Sequence, residues 1–447
     1  MFLHFKLAIE LGIKPEKVMH DIFALPRIQF PENFLWGSST SAYQIEGGNE
    51  NNDWARAARE GRFAEPCGMA CNHYALYRED IALLKELGHQ AFRFSVEWSR
   101  VEPREGEFDD EAVEHYVDCA RRLCEAGIKP WLTLYHFTNP LWFADKKEWH
   151  ERDNVGCFLR YVEHIVPKLA PYIDGWAPIN EYNFYSGAPS QPEDHRRMAN
   201  YAFNVLLADA GAYDIIKAHS TRPCASPMAY LALQPLRPHD PFDKTMADYA
   251  DWVANGWYFH AMRTGELVFP FVDMEYHPQV KGRADHWAVN MYARDLVDSR
   301  RQRCRGDRYQ HRALKINQSH QENPWEFSPD ELLANIMRLK DKPVYILENG
   351  CNTDDDRFRV LYIALHVAAF HQALAWGLDL KSYFYWSFID NYEWGSYDPK
   401  FGLVGFDKTT FARQPRPSAW FFREIIQQNG LSGEMIRRYL DHYPSMV

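Results

Sequence analysis

No stretch of 18 consecutive apolar residues occurs in this 447-residue chain, so a membrane-spanning helix is excluded at the level of sequence. Positive charge is in the minority. With 50 Lys and Arg against 61 Asp and Glu, the formal net charge is -11, which argues against nucleic acid as a main partner, because such binders carry a basic face. The 8 cysteines, at positions 67, 71, 119, 124, 157, 224, 304 and 351, include no C-x-x-C pair. In a chain this long that pattern implies reduced thiols in a cytoplasmic protein, not a disulfide framework. Cys67, Cys71 and His73 lie close in sequence, but a structural zinc site needs four ligands and no second Cys/His pair has suitable spacing. Neither metal nor cofactor is expected. The opening MFLHFKLAIELGIKPEKVMHDIF lacks a basic region ahead of an apolar core and a small-residue cleavage site, so a secretion signal is not expected. Lys6, Glu10, Lys14, Glu16 and Lys17, mixed with apolar residues at helical spacing, predict one or two short amphipathic helices, and residues 1–29 are set apart as an N-terminal extension. No Pro/Gly/Ser-rich linker divides the remainder, so 30–447 reads as one large domain.

Aromatic residues are plentiful at 15%, with 15 Trp, 25 Tyr and 28 Phe. Two readings stand side by side: rings that line a site for a flat or sugar-like ligand, and rings that fill a large core. One segment departs from the acidic average. Arg294, Arg300, Arg301, Arg303, Arg305, Arg308 and Arg312, interrupted by Asp295, Asp298 and Asp307, read as a solvated loop or helix face.

Along the body, short apolar runs alternate with long segments of helical period. HYALYREDIALLKELG stops at Gly88 and leads to AFRFSVEW; the pattern from Asp109 to Gly127 leads to KPWLTLYHF, and that from Val155 to Ile173 to GWAPINEY. Asp194 to His219 leads to SPMAYLAL, Asp243 to Arg263 to ADHWAVNMY, Pro329 to Leu339 to KPVYILENG, and Arg357 to Gly377 to LKSYFYWSFID. With FLWGSSTSAYQ as the first there are eight strands, and a helix over roughly 415–428 closes the set. Strands alternating with helices mean parallel βαβ units, and eight of them predict an α/β fold, a single (β/α)8 TIM barrel with its active site at the C-terminal ends of the strands.

The last residues of these runs are polar or aromatic: Gln44, Arg93, His136, Asn180 with Glu181, Asn290 with Tyr292, Glu348, and Trp386 continuing into Glu393 and Trp394. An isolated one is readily a satisfied core residue. Two carboxylates, an arginine, a histidine and two tryptophans converging on one barrel mouth suit cleavage of a glycosidic bond, where one carboxyl gives a proton to the leaving oxygen and another, ionised, attacks or activates water. Glu181 and Glu348 are the candidates. Burial and a second carboxylate raise the pKa of the proton donor, while a cation and donors, available from Arg93 and Tyr292, keep the other ionised. The His residues, His136 apart, show no clustering at strand ends, which disfavours a metal-dependent barrel hydrolase.

FPENFLWGSSTSAYQIEGG, FRFSVEWSRVEP, INE at 179–181, VNMY, ILENG and YWSFIDNYEWGSYDPKFGLVGFD, in this order and on these strands, resemble glycoside hydrolase family 1, the retaining β-glycosidases on a (β/α)8 barrel. The resemblance runs from Phe30 to about Phe422. It implies Glu181 as acid/base and Glu348 as nucleophile, with their carboxyl groups about 5–5.5 Å apart as in retaining enzymes, and Arg93 and Tyr292 orienting the nucleophile. It further implies that Gln44, His136, Asn180, Glu393 and Trp394 bind sugar hydroxyls over a floor formed by Trp386, with Asn290 and Phe401 also at the substrate site. The implied partner is a small-molecule β-glycoside or short oligosaccharide, with no nucleic acid and no membrane; a homo-oligomer is left open.

Two positions depart from the family pattern. Tyr182 stands where Pro usually follows the acid/base, and Phe137 stands where His is usually followed by Trp; both are expected to alter walls of the sugar site. A branch acting on 6-phosphorylated sugars replaces the glutamate corresponding to Glu393 by a small neutral residue and adds Ser, Lys and Tyr for the phosphate. Here Glu393 is kept, and Pro399 and Phe401 stand where that Lys and Tyr would fall, so a non-phosphorylated β-glucoside, β-galactoside or β-fucoside is the expected substrate. The alternatives are a 6-phospho-β-glycosidase and a non-catalytic sugar-binding relative, which characteristically loses one of the two glutamates.

Overall fold

The computed structural model describes residues 22–183, 195–300, 304–305, 314–315 and 326–440. Eight parallel strands form the centre: β1 (Leu35–Ser39), β2 (Ala91–Ser95), β3 (Lys129–Tyr135), β4 (Gly175–Ile179), β5 (Pro227–Ala229), β6 (Trp287–Asn290), β7 (Val344–Asn349) and β8 (Leu380–Trp386). Apart from β4 and β5, each pairs in parallel with its neighbour in sequence, and β8 pairs with β1. The seam between β4 and β5 is closed by a parallel bridge from Trp176 to Cys224 and by the Ile179 N–H donating to Ser226 Oγ at 2.9 Å. The predicted (β/α)8 barrel is thus the observed fold.

Helices α1 (His73–Glu86), α2 (Asp110–Glu125), α3 (Val155–Leu169), α4 (His195–His219), α5 (Trp257–Thr264), α6 (Pro329–Ile336), α7 (Asp356–Ala375) and α8 (Pro417–Gln428) follow the strands in turn. Local chemistry sets their ends: Asp109 accepts from the N–H groups of Glu111 and Ala112 to start α2, and Gly127, at φ 81°, turns the chain out of it. Helix α7 is apolar enough by composition to cross a membrane, but 78% of its most apolar window is buried inside the protein, as suits a core helix. Covered by helices outside and packed side chains inside, the strands are buried on both faces. Trp131 fills the barrel interior between Tyr345 and Phe384, and Gly175 makes the room, since a Cβ there would lie 2.4 Å from the indole.

Three local expectations are refined. The first predicted run ends as a strand at Ser39, and Gln44 sits in the short helix Ala42–Ile45, because Ser41 and Ala42 leave the sheet as the Ala42 N–H donates to Ser95 Oγ. Of the arginine-rich stretch, Arg294–Val297 is neither loop nor helix but a strand pairing in parallel with Ala232–Pro235, and Arg294 is ion-paired with Glu331; Arg301, Arg303, Arg308 and Arg312 lie outside the described residues. Of the segment 1–29, residues 1–21 also lie outside them, whereas Ile22 and Leu25 are buried in the core and Ile28–Gln29 pairs with Gly430–Leu431.

Candidate active site

Glu348 projects from β7 at an irregularity. Between Ile346 and Asn349 the register shifts against β8, and it shifts against β6 where Asn290 lies beside Glu348, so β7 carries one extra residue there. A bulge of this kind re-aims a side chain, here towards the mouth. Ser39 holds the bulged backbone by donating from its hydroxyl to the Leu347 carbonyl at 2.5 Å. The glycine of ILENG has a steric cause, because a Cβ on Gly350 would lie 1.7 Å from the Trp386 carbonyl oxygen.

The Glu348 carboxylate accepts from Arg93 Nη1 at 2.5 Å and from the Tyr292 hydroxyl at 2.5 Å. Arg93 is wholly buried, and its other donors go to Thr133 Oγ1 at 2.9 Å and Asn180 Oδ1 at 2.7 Å. Burial pushes Glu348 up from the ordinary carboxyl value, while the Arg93 charge and the Tyr292 hydroxyl pull against that rise. Phe401, itself buried, packs edge-on against Tyr292 at 6.3 Å, so its ring backs the phenol.

Glu181 lies two residues beyond β4 in a left-handed turn at φ 46°, with its N–H donating to the Pro227 carbonyl at 2.8 Å. Its side chain receives an amide donor, Asn290 Nδ2, at 2.7 Å. Burial first, and the negative charge of Glu348 second, push Glu181 up to about 8. Glu181 therefore keeps a proton at neutral pH while Glu348 is the first of the pair to ionise.

Asn180 and His136 extend this network. Asn180 Oδ1 accepts from Arg93 and from Asn290 Nδ2 at 3.1 Å, and its Nδ2 lies 3.2 Å from His136 Nε2. Burial and the Arg93 charge hold His136 well below its ordinary value, so the ring is neutral and Nε2 accepts, which assigns the proton to Nδ1. His136 Nδ1 and Asn290 Oδ1 are buried and have no protein partner. A buried unpaired donor and acceptor beside two carboxyls suit hydroxyls of a ligand.

The loop after β8 supplies a third acid. Glu393 Oε2 accepts from Gln44 Nε2 at 3.2 Å, and Gln44 also donates to Asn391 Oδ1 at 2.9 Å. Burial, then the Glu348 charge, push Glu393 up to about 8, against hydrogen bonds from Trp386, Gln44 and Asn391. Trp386 ends β8 and Trp394, at φ 48°, lies in the loop; each indole is nearly parallel to the His136 ring at 5.9 Å. Phe137, at φ 73°, packs on Trp394 at 5.1 Å and so stays in the wall. Tyr182 does not: its side chain turns away from the mouth, with its hydroxyl on Asp209 and its ring against Trp257 and Tyr258. That corrects the expectation that Tyr182 shapes the sugar site.

Thr133, Asn391 and Asp209 carry no sequence signal of a role at the site. Thr133 occupies an inward position in the alternation of KPWLTLYHF, and Asp209 is a lone acid in the apolar run NVLLADAGAY, signals that mark burial without naming a partner. Cys67 and Cys71 donate to the carbonyls of Tyr43 and Ile45, and His73 pairs with Asp80 at 2.7 Å. Among the described residues no group of three His, Cys, Asp or Glu side chains is placed to hold a metal ion.

Known proteins resemble this chain along nearly its whole length. The model of the family described as Glycosyl hydrolase family 1 matches residues 26–431. β-Glucosidase A of Acetivibrio thermocellus is 28% identical over 453 residues, covering 91% of this chain and 100% of that protein. Aryl-phospho-β-D-glucosidase BglC of Bacillus subtilis is 27% identical over 470 residues, covering 90% and 98%. Among solved structures, a β-glycosidase from Pyrococcus horikoshii superimposes with a TM-score of 0.84 at 32% identity, over 94% of this chain and 99% of that one.

Proposed function

The chain belongs to glycosyl hydrolase family 1 and is a glycoside hydrolase acting on O-glycosyl bonds, and from that premise we propose a retaining β-glycosidase for neutral, non-phosphorylated β-glycosides: a β-glucoside, β-galactoside or β-fucoside. The observation that carries the reading is the asymmetry of the two carboxyls. Glu348, held by Arg93 and Tyr292, attacks the anomeric carbon as the carboxylate, while Glu181, pushed up to about 8, donates its proton to the departing glycosidic oxygen. Glu181, now ionised, takes a proton from water; the water oxygen attacks the anomeric carbon of the glycosyl-enzyme and Glu348 is released. His136 Nδ1–H, Asn180, Gln44, Glu393 and Trp394 hold sugar hydroxyls, and the indole of Trp386 covers the C–H face.

Overall similarity does not separate neutral from phosphorylated substrates, since relatives of both names match comparably. The neighbourhood of Glu393 favours the neutral class. The side chains that bond it, Gln44, Asn391 and Trp386, bring amide and indole donors and no cation to pair with a phosphate. Seven cysteines, at 67, 71, 119, 124, 157, 224 and 351, are free of disulfides, which supports a protein working where thiols stay reduced, in the cytoplasm.

Hydrolysis of p-nitrophenyl β-glucoside, β-galactoside and β-fucoside, followed by NMR of the first-formed sugar, tests the reading. Turnover with a β-configured product is expected, and a first-formed α-sugar would refute retention. Glu393→Ser should lower efficiency on glucoside roughly 10- to 100-fold, with a smaller loss on fucoside, which lacks the 6-hydroxyl. A wild-type protein that prefers a 6-phosphoglucoside to glucoside would overturn the assignment of Glu393.

A further inference from the structure

Behind Glu181, on the far side of β4 from the sugar site, lies a buried carboxyl that the hydrolytic steps do not use. Asp209 projects from α4 and is 1% exposed. Its Oδ1 accepts from the Ser226 hydroxyl at 2.6 Å and its Oδ2 from the Tyr182 hydroxyl at 3.1 Å. Ser226 in turn accepts from the Ile179 N–H at 2.9 Å, at the end of β4. Tyr182 directly follows Glu181, and Ser226 directly precedes Pro227, whose carbonyl receives the Glu181 N–H. The two oxygens of one carboxyl group thus grip both sides of the seam at which Glu181 turns.

We infer that Asp209, acting through Tyr182 and Ser226, is a positioning residue that sets where Glu181 presents its proton. The turn needs such a device. A left-handed residue that is not glycine persists only when its surroundings over-determine it, and Tyr182 at the next position leaves the backbone freer than the proline usual there. The residue after Tyr182 adds a second anchor: Asn183 donates to the carbonyls of Ala229 and Ala254 and accepts from the Ala229 N–H. Asp209 bonds Tyr182 directly and the β4–β5 seam through Ser226, and neither of these bonds involves the carboxyl of Glu181.

The inference rests on the acid/base role proposed for Glu181, and leaving-group dependence reads it. Tyr182→Phe, Asp209→Asn and Asp209→Ala are compared with wild type on an alkyl β-glucoside, whose departure needs the proton, and on the 2,4-dinitrophenyl β-glucoside, whose departure does not. For Tyr182→Phe and Asp209→Ala, kcat/KM should fall about tenfold on the alkyl glucoside and less than twofold on the dinitrophenyl one. Asp209→Asn, which keeps an acceptor for one hydroxyl, should lie between wild type and Asp209→Ala. Equal losses on the two substrates, or a lower melting temperature with an unchanged ratio between them, would overturn the inference. If wild type cleaves no β-glycoside, the functional reading fails, and the inference is then decided by titrating the Glu181 carboxyl by 13C NMR in wild type and Tyr182→Phe, with Glu181→Gln to identify the signal. Loosening the turn admits water and should move the midpoint down towards the ordinary carboxyl value; an unmoved midpoint would overturn it.

Discussion

The ends of β7 and β4 offer the same side chain in opposite surroundings. At β7 a bulge aims Glu348 at a buried guanidinium and a phenol; just past β4 a left-handed turn aims Glu181 at one neutral amide. Burial raises both carboxyls and the Arg93 charge opposes both rises, but of the two Arg93 is hydrogen-bonded to Glu348 alone, so the charge settles on Glu348 and its field helps keep the proton on Glu181. In the proposed mechanism the two glutamates divide the work because their neighbours differ, and each reinforces the state of the other.

The sharpest break of this comparison is to remove each carboxyl in turn. Glu348→Ala should lose on the order of 10^4-fold or more in kcat on every leaving group, because no covalent intermediate can form. Glu181→Ala should lose roughly 10²–10⁴-fold on alkyl glycosides, with far less effect on formation of the glycosyl-enzyme from an activated aryl glycoside, and azide should restore its turnover by replacing the activated water. Steady-state kinetics on both substrate types checks this, and losses independent of the leaving group would mean that the roles are misassigned.

A smaller effect sharpens the same contrast. Tyr292→Phe removes a donor from ionised Glu348 and should cost about 1.5–3 kcal/mol, roughly 10- to 100-fold in kcat/KM. Because the charged form loses a stabilising bond while burial remains, Glu348 should titrate higher, and the acid limb of the pH profile should move to higher pH. The alkaline limb, set by deprotonation of Glu181 near 8, should stay in place. A profile whose acid limb is unmoved would show that Tyr292 does not hold the nucleophile ionised.

The smallest expected effect concerns stability. Glu181 and Glu393 are pushed up to about 8 in the folded protein from an ordinary value of 4.5. Between those values the folded chain keeps protons that the unfolded chain has released, so their contribution to stability is fully present below the ordinary value and is lost as pH rises through about 8. Thermal unfolding of the free enzyme at pH 5 and pH 9 should show wild type losing more than Glu181→Gln, whose amide does not titrate. Parallel losses in the two proteins would mean that the site carboxyl is not held up by its surroundings.

Most of the fold and many of the site residues could be read from the chain because the signals are local. Apolar runs of a few residues and helical periods with Gly stops such as Gly88 and Gly127 set the order of eight strand–helix units, and polar residues at run ends mark the mouth that the barrel assembles. The sequence alone therefore determined the architecture and the strand ends on which Glu181 and Glu348 stand. The resemblance implied a division of roles between them, but only the tertiary structure supplied a physical cause for it, since that depends on Arg93 lying against Glu348 from 255 positions away. The tertiary structure likewise decided that Tyr182 turns from the sugar site to Asp209, that Phe401 backs Tyr292, and that β7 bulges at Glu348. Side-chain direction, burial and Coulomb fields act through space between strands remote in sequence, and no local pattern records which of those strands will be neighbours.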